Sequence, residues 1–301
     1  MDISYQMTSV VAFFVVLFFY IHIYFHLKKS NDLDVYHINY PSKEKFEDIC
    51  ELKQPIIFHV SRLESIKEKF YVENLLKMYS GFEVHVRYLE KERTPHFDDD
   101  YTNKYNSIKL KDLSIILEEN ANKKVVSERN QEFLDETGLV KLLKQSDFVL
   151  RPNLVSSCEY DVLFGEKDAY TPLRYHLHYK NIFMLARGKA KVKMAAPKNS
   201  KHLSLHKDYD NFEFYTKEDI WDTSNEELQS KIHFLEVEMK ENDIISIPTF
   251  WFYSIKFMES NTVMFGFFYH TYMSYLAASP DIAIHALQKQ NIKYSLQSTS
   301  V

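Results

Sequence analysis

Glycine is scarce in this chain. Only 5 of its 301 residues are glycine, whereas glycine usually makes up about 7% of a protein. We therefore expect Asn, Asp, Lys and Pro to form most of the turns. Cysteine is scarcer still: Cys50 and Cys158 are too few for a disulfide framework or a cysteine-based zinc module, and they fit a reducing compartment.

The chain also lacks a strong excess of charge of either sign. Its net charge of -5 argues against a dedicated nucleic-acid binder, which usually carries a concentrated basic face. With 45% hydrophobic and 15% aromatic residues, the bulk of the chain is not disordered, and its length suits one large or two small domains. Its richness in Lys, Asn, Ile and Tyr suggests an AT-rich genome, such as that of a large DNA virus or a parasite.

The N-terminus carries a long apolar run. Thr8 to Leu27 contains no formal charge, and Lys28 and Lys29 follow at once. Twenty helical residues span about 30 Å, the thickness of the hydrocarbon core of a bilayer. A cleaved signal peptide or a buried core helix are the alternatives. The segment before the run holds Asp2 and no Lys or Arg, and no A-x-A-like cleavage site follows, which disfavours the signal peptide.

These features predict a transmembrane anchor over residues 1–29, with residues 8–27 in the lipid bilayer. The two lysines after the run favour a cytoplasmic position for the rest of the chain. In a viral protein, the membrane would be that of the host or the virion. We expect a polar tether over residues 30–40, one domain over residues 41–290 and a tail over residues 291–301.

The domain is predicted to be mainly β with flanking helices. Helices are expected after Ser42, over Leu110 to Leu117 and over Glu132 to Leu143. The β-barrel core is predicted to cover about residues 150–272. A closing helix is predicted over residues 273–290, with an interruption near Pro280. The predicted strands cover residues 55–60, 82–88, 160–164, 181–186, 190–194, 233–237, 244–247, 252–257 and 263–269.

Three stretches resemble one family, the JmjC and cupin-like proteins. A helical Phe46-Glu47-Asp48-Ile49 followed by Pro55-Ile56-Ile57-Phe58 resembles its opening "helix, then Lys-Pro-Val-Val-Ile". Leu163-Phe164-Gly165 through Thr171-Pro172-Leu173-Arg174-Tyr175-His176, followed by Asn181 and Gly188, resembles its "W-I-G … T-P-L-H-Y-D … N … G-x-K-R". Asp243-Ile244-Ile245-Ser246-Ile247-Pro248-Thr249-Phe250-Trp251 resembles its "G-D-x-L-x-I-P-x-G-W". The resemblance implies a double-stranded β-helix, or jelly roll, as found in Fe(II)/2-oxoglutarate oxygenases.

The residues that the family uses for chemistry are largely replaced. An Fe(II) oxygenase needs two His and one carboxylate as metal ligands. Counted from Thr171, the H-x-D position holds Arg174 and His176; counted back from Gly188, it holds Tyr175 and Leu177. The distal histidine position holds Tyr253, and the position of the 2-oxoglutarate lysine holds Ala190. Of the 2-oxoglutarate positions, Thr171 and Asn181 remain. The resemblance thus implies the fold and argues against the reaction.

A different metal site is the main alternative. His176 and His178 are two residues apart on a predicted strand, a spacing that can chelate, and Tyr253 or His270 could complete the set. Two histidines that pack and form hydrogen bonds in a tyrosine-rich strand give the same pattern. The literal H-x-D matches at His206-Lys207-Asp208 and His96-Phe97-Asp98 lie in polar stretches outside the family motif.

The resulting expectation is a membrane-anchored protein with one cupin-like domain that is catalytically inactive. It would bind an unidentified protein or act as a scaffold at a membrane, with no cofactor and no nucleic acid. The rival is an oxygenase of the Fe(II)/2-oxoglutarate type, or another metal enzyme, with non-standard ligands. A cupin that binds a ligand without chemistry is a third possibility, and it would require an open apolar pocket.

Overall fold

The computed structural model describes residues 3–39, 41–60, 64–88, 105–118, 124–222 and 226–298. Within these ranges the helices, in chain order, are α1 (Ile3–Leu27), α2 (Lys43–Cys50), α3 (Glu64–Lys67), α4 (Val72–Tyr79), α5 (Leu110–Glu118), α6 (Gln131–Glu136), α7 (Val140–Ser146), α8 (Glu226–Lys231) and α9 (Tyr272–Ser298). Short 3-10 helices cover Glu68–Phe70 and Pro197–His202.

The strands of the same ranges form two sheets. In chain order they are β1 (Tyr36–Asn39), β2 (Ile56–His59), β3 (Glu83–Tyr88), β4 (Asn106–Lys109), β5 (Val125–Ser127), β6 (Val155–Gly165), β7 (Arg174–Tyr175), β8 (Lys180–Arg187), β9 (Ala190–Ala195), β10 (Leu205–Asp208), β11 (Glu213–Thr216), β12 (Leu235–Met239), β13 (Asp243–Pro248), β14 (Phe252–Phe257) and β15 (Thr262–Thr271).

The larger sheet has the order β1-β2-β13-β8-β15-β6-β5-β3-β4, and the smaller has the order β10-β11-β7-β14-β9-β12. From β6 onwards the chain passes between the two sheets, so that β13-β8-β15-β6 faces β7-β14-β9-β12. This arrangement is a jelly roll of the cupin type, and it confirms the predicted fold class. The hairpin β10–β11 extends the smaller sheet at one edge.

Three apolar clusters hold these layers together. The first lies between the larger sheet and the N-terminal helices and includes Phe46, Phe70 and Leu143. The second fills the space between the sheets. The third lies between the outer face of the smaller sheet and α9. Because the larger sheet is covered on both faces, β8 and β15 are buried along almost their whole length and lack the alternation of a half-exposed strand.

Helix α1 is long and apolar enough to cross a membrane. Its segment Tyr5–Leu27 has 23 residues and a mean hydropathy of 2.2, and none of it is buried by the rest of the protein. The last turns of α1 contact the domain, where the ring of His26 lies 5.3 Å from that of Tyr179.

The boundaries differ from the prediction at both ends of the domain. Residues 36–39 of the predicted tether form β1, which pairs in parallel with β2. The apolar side chain of Ile38 on this strand is buried against the domain. The predicted closing helix extends to Ser298, into the predicted tail, and runs through Pro280 without interruption. Pro280 lies on the exposed side of α9. The backbone hydrogen bond that proline removes from the helix therefore leaves no unpaired polar group buried inside the protein.

The predicted helix start after Ser42 is confirmed: the side chain of Ser42 caps α2 by accepting a hydrogen bond from the amide of Lys45. The predicted helix over residues 132–143 is instead two helices, α6 and α7. Gly138 separates them with a φ of +71° that a continuous helix cannot accommodate.

Turns with left-handed backbone are made mostly without glycine, as the composition indicated. Within the described ranges, the non-glycine residues with positive φ are Lys53, Arg129, Leu154, Asp168, Phe212, Asn242, Phe250 and Asn261. Asn and Asp tolerate this conformation through local hydrogen bonds, whereas Leu and Phe do not. The composition therefore predicted only part of this set.

Candidate functional site

The two strands that carry the family's metal ligands lie side by side here. Arg174 on β7 is directly opposite Tyr253 on β14 in the antiparallel pairing. Opposed residues of such a pair project to the same face of the sheet. Tyr175, the residue of the alternative placement, instead belongs to the cluster outside the smaller sheet, where its ring stacks on that of Phe214. The geometry therefore favours the placement counted from Thr171, in which Arg174 and Tyr253 are assigned to the ligand positions.

Arg174 is held by a buried network of charges. Its guanidinium group donates to both oxygens of Glu128, at 3.0 and 2.5 Å, and to Oε1 of Glu213 at 3.3 Å. Arg87 donates to both oxygens of Glu213 at 2.8 Å and lies 3.4 Å from Glu128. All four side chains are at least nine-tenths buried. The phenol of Tyr105 contacts both carboxylates and Arg87.

The network consists of two cations and two anions, and this balance is what permits its burial. Burial alone would raise the pKa of Glu213, but Arg87 and Arg174 outweigh it and lower that pKa to about 2. The pKa of Glu128 is lowered as well, against the effect of burial, by Arg174 and Arg87. Burial, followed by the two carboxylates, raises the pKa of Tyr105, so that this phenol stays protonated.

The side chain of Tyr253 fills the barrel interior beside this network. Its side chain is fully buried, its ring lies 5.3 Å from that of Phe183, and its hydroxyl oxygen is 3.3 Å from Nδ1 of His176. The remaining interior between the sheets holds apolar side chains that are less than 2% exposed, namely Leu185, Val192, Met194, Ile245, Ile255 and Phe257. The barrel interior is therefore packed as a core along these strands.

The residues predicted for 2-oxoglutarate have structural partners. Thr171 is fully buried, and its hydroxyl accepts a hydrogen bond from the amide of Ile255 at 2.9 Å. Asn181 donates to the carbonyl of Ile247 at 3.2 Å. Ala190, at the family's lysine position, belongs to the apolar core between the sheets. Thr171 and Asn181 thus link neighbouring segments, and Ala190 provides no cation for an oxoacid.

The residues of the alternative metal site do come together. The rings of His176 and His178 are 5.7 Å apart, and those of His178 and His270 are 4.5 Å apart. Nε2 of His178 lies 3.5 Å from a carboxylate oxygen of Glu159. Burial, with the nearby His178, lowers the pKa of His270 to about 3, and burial with the charge of Arg174 holds the pKa of His176 well below its usual range.

These donors form a row of packed rings. The ring of Phe268 lies 5.1 Å from His176 and 5.4 Å from His178, so an apolar side chain lies against both imidazoles. Over the described ranges, no three His, Cys, Asp or Glu side chains are arranged to hold a metal ion. The metal assignment of His176, His178, Tyr253 and His270 stays a prediction.

Fe(II) does not fit the residues at the family's ligand positions. Arg174 has no lone pair to offer and remains a cation, which repels a divalent ion. The two nearby carboxylates, Glu128 and Glu213, are occupied by Arg87 and Arg174. Tyr253 has an oxygen donor, but burial raises the pKa of its phenol further above the usual range, which disfavours the phenolate that would bind a metal.

Two literal H-x-D matches lie elsewhere. His206 and Asp208 are on β10 in the added hairpin, and the ring of His206 stacks on that of Tyr215. The pair formed by His96 and Asp98 lies outside the described residues.

The other charged residues of the network could not be predicted from the sequence. Arg87 is on β3, Glu128 directly follows β5 and Glu213 begins β11, and no local motif joins them. The sequence did indicate that Arg174 has acidic neighbours, because an arginine that points into a barrel needs buried counter-charges. The sequence does not show which carboxylates supply them.

A polar cavity of about 620 Å³ adjoins the network at Tyr105. Its lining residues are His85, Tyr105, Arg129, Gln131, Glu132, Asp135, Glu159, Tyr160, Asp161, Asn211 and Lys289. Asp161 accepts hydrogen bonds from the amides of Arg129 and Asn130, yet burial raises its pKa to about 7. This cavity differs from the open apolar pocket expected of a cupin that binds an apolar ligand.

Comparison with known families agrees with this geometry. A model of the cupin-like domain matches residues 41–275 of the chain. The chain therefore belongs to the cupin-like domain family, as its three motifs predicted. A search of curated proteins gave no match.

Proposed function

We propose that this protein is a membrane-anchored cupin-like protein without catalytic activity, which binds a partner or acts as a scaffold at a membrane surface. The observation that carries the proposal is the buried ion-pair network at Arg174, where the family places a metal ligand. Removal of one partner from such a network leaves an uncompensated buried charge. The network therefore has a strong structural role that an incoming metal ion would have to disrupt.

The anchoring part of the proposal rests on α1. It exposes an apolar surface from Tyr5 to Ile21, most of the length needed to span a bilayer, and a globular protein gains nothing from such a surface in water. The polar cavity beside Tyr105 is a place where a partner could insert a polar group, because its walls carry both carboxylates and cations.

The test is the metal content of the full chain in lipid nanodiscs, purified without chelator and then titrated with Fe(II), Mn(II) and Zn(II). We expect no stoichiometric metal. Wild type is compared with the double variant His176→Ala, His178→Ala and with His206→Ala, which changes an exposed histidine outside the barrel.

Stoichiometric metal that is lost in the double variant but kept in His206→Ala would overturn the proposal. It would favour the alternative, a metal-dependent oxygenase whose ligands come from His176, His178, Tyr253 and His270. The proximity of these rings is the observation that makes this alternative worth testing.

A further inference from the structure

The end of α1 is fixed to the domain. The Nζ atom of Lys53 lies 4.8 Å from the ring centre of Phe25, and the Nζ atom of Lys29 lies 4.5 Å from that of Phe250. Helix α1 also packs against α9. If α1 crosses a bilayer, the parts of the domain around its end lie at the surface of that bilayer.

Exposed apolar side chains are found beside this point. Leu154 is 80% exposed, Tyr272 64% and Tyr275 44%. They are connected, because the amide of Tyr272 donates to the carbonyl of Leu154 and the ring of Tyr275 packs on His270. We call these three residues the apolar rim.

The backbone of Leu154 is unusual in addition. Its φ of +52° is unfavourable for a residue with a branched side chain, yet the side chain is directed away from the protein. Burial of the Leu154 side chain within the protein therefore does not compensate for the strain of its backbone. Contact of this side chain with a surface outside the chain would bury it.

Helix α9 continues this surface. Ala278, Ile282 and His285 are directed toward the domain, as their cluster membership and ring contact with Phe212 show. Leu276, Ile284 and Leu287 lie on the exposed side, at 38%, 41% and 61% exposure. Asp281 is the single formal charge between residues 272 and 288, and it pairs with Tyr209 and Lys207 of the domain. The exposed side is therefore apolar.

We infer that the apolar rim and the exposed side of α9 lie in the interfacial layer of the same bilayer that α1 spans. This inference rests on the membrane anchoring proposed above. Tyr at the headgroup level with Leu and Ile beneath it is the composition of an interfacial helix. Continuity with α1 favours lipid over a second copy of the chain, because α1 brings the surface to the bilayer. Lys28 and Lys29 at the same end suit anionic headgroups.

The test uses the full chain in nanodiscs of phosphatidylcholine and phosphatidylglycerol with brominated acyl chains. Single tryptophans are introduced by Leu154→Trp and Leu287→Trp, and the wild type with Trp221 and Trp251 supplies the background. Val16→Trp, in the middle of α1, reports the anchor. Glu238→Trp, at an exposed position on the outer strand β12, is the control in water.

We expect brominated lipid to quench the added fluorescence at positions 154, 287 and 16, and to leave that at position 238 unchanged. Quenching at 16 without quenching at 154 and 287 would overturn this inference and leave the anchor intact. No quenching at 16 would overturn the anchor and the inference together. Protection of 154 and 287 from both brominated lipid and aqueous iodide would also overturn it, because a second copy would then cover the surface.

Discussion

Glu213 lies between two guanidinium groups, and its ionisation couples folding to pH. Its folded pKa of about 2 is below the ordinary value of 4.5, because Arg87 and Arg174 outweigh the effect of burial. Since the unfolded chain takes up this proton first, the stabilisation is complete above pH 4.5 and is lost as the pH falls toward 2. The shift corresponds to roughly 3 kcal/mol.

The lowered pKa of Glu213 predicts that the free energy of unfolding of wild type falls steeply in acid. In the variant Glu213→Gln this fall should be smaller. We expect the variant to be less stable than wild type at pH 7 and to lose less free energy of unfolding below pH 4.5. Denaturant unfolding of both proteins across this range is the measurement. Glu238→Gln, at an exposed position, is the control and should follow wild type. Equal slopes for Glu213→Gln and wild type would contradict the prediction.

At the residue scale, the sequence motifs assigned Arg174 and Tyr253 to the family's ligand positions, and that assignment stays a prediction. The strand pairing places the two residues directly opposite each other. The carboxylates that neutralise Arg174 could not be predicted, because Glu128 follows β5 of the larger sheet, Glu213 begins β11 of the smaller sheet, and only the packed fold brings both to Arg174. Local pattern encodes which residue faces inward, whereas the identity of its partner depends on tertiary packing.

Among the elements, β6 and β14 approach each other closely at Gly165. A β-carbon at this position would lie 2.1 Å from the ring of Phe257. We therefore expect Gly165→Ala to destabilise the fold by about 1–3 kcal/mol or more through overpacking. Gly81→Ala is the matched control, because its β-carbon would meet open space, and it should be neutral or slightly stabilising. Thermal unfolding of both variants checks this, and a Gly165→Ala protein as stable as Gly81→Ala would refute it.

Long apolar strands were predictable and short or polar ones were not. The strands β2, β3, β6, β8, β9 and β12 to β15 all overlap predicted runs, although β6 begins five residues before its predicted start and β12 ends two residues beyond its predicted end. The missed strands include β1, with the polar sequence YHIN, and the two-residue β7. Neither has enough alternating residues to produce a pattern, so pairing with a neighbour decides their conformation.

For the whole molecule, the flanking charges of α1 predict its orientation. Lys28 and Lys29 follow the helix, and Asp2 is the charged residue before it, so the cupin-like domain should face the cytoplasm. In sealed vesicles with the cytoplasmic side outward, added protease should digest the domain. The variant Asp2→Lys, Gln6→Lys, Lys28→Gln, Lys29→Gln should invert and protect it. Protection of the wild-type domain would contradict the orientation.

The place of β2 in the larger sheet has a consequence for synthesis. Ile56 pairs with Ser246 of β13, which itself pairs with β8. The ribosome releases β2 early and β13 late, so β2 has no partner on that side while most of the domain is being made. A nascent chain would thus present an unpaired edge on β2 until β13 has been made. Completion of the larger sheet should therefore be late and sensitive to chaperones that shield strand edges.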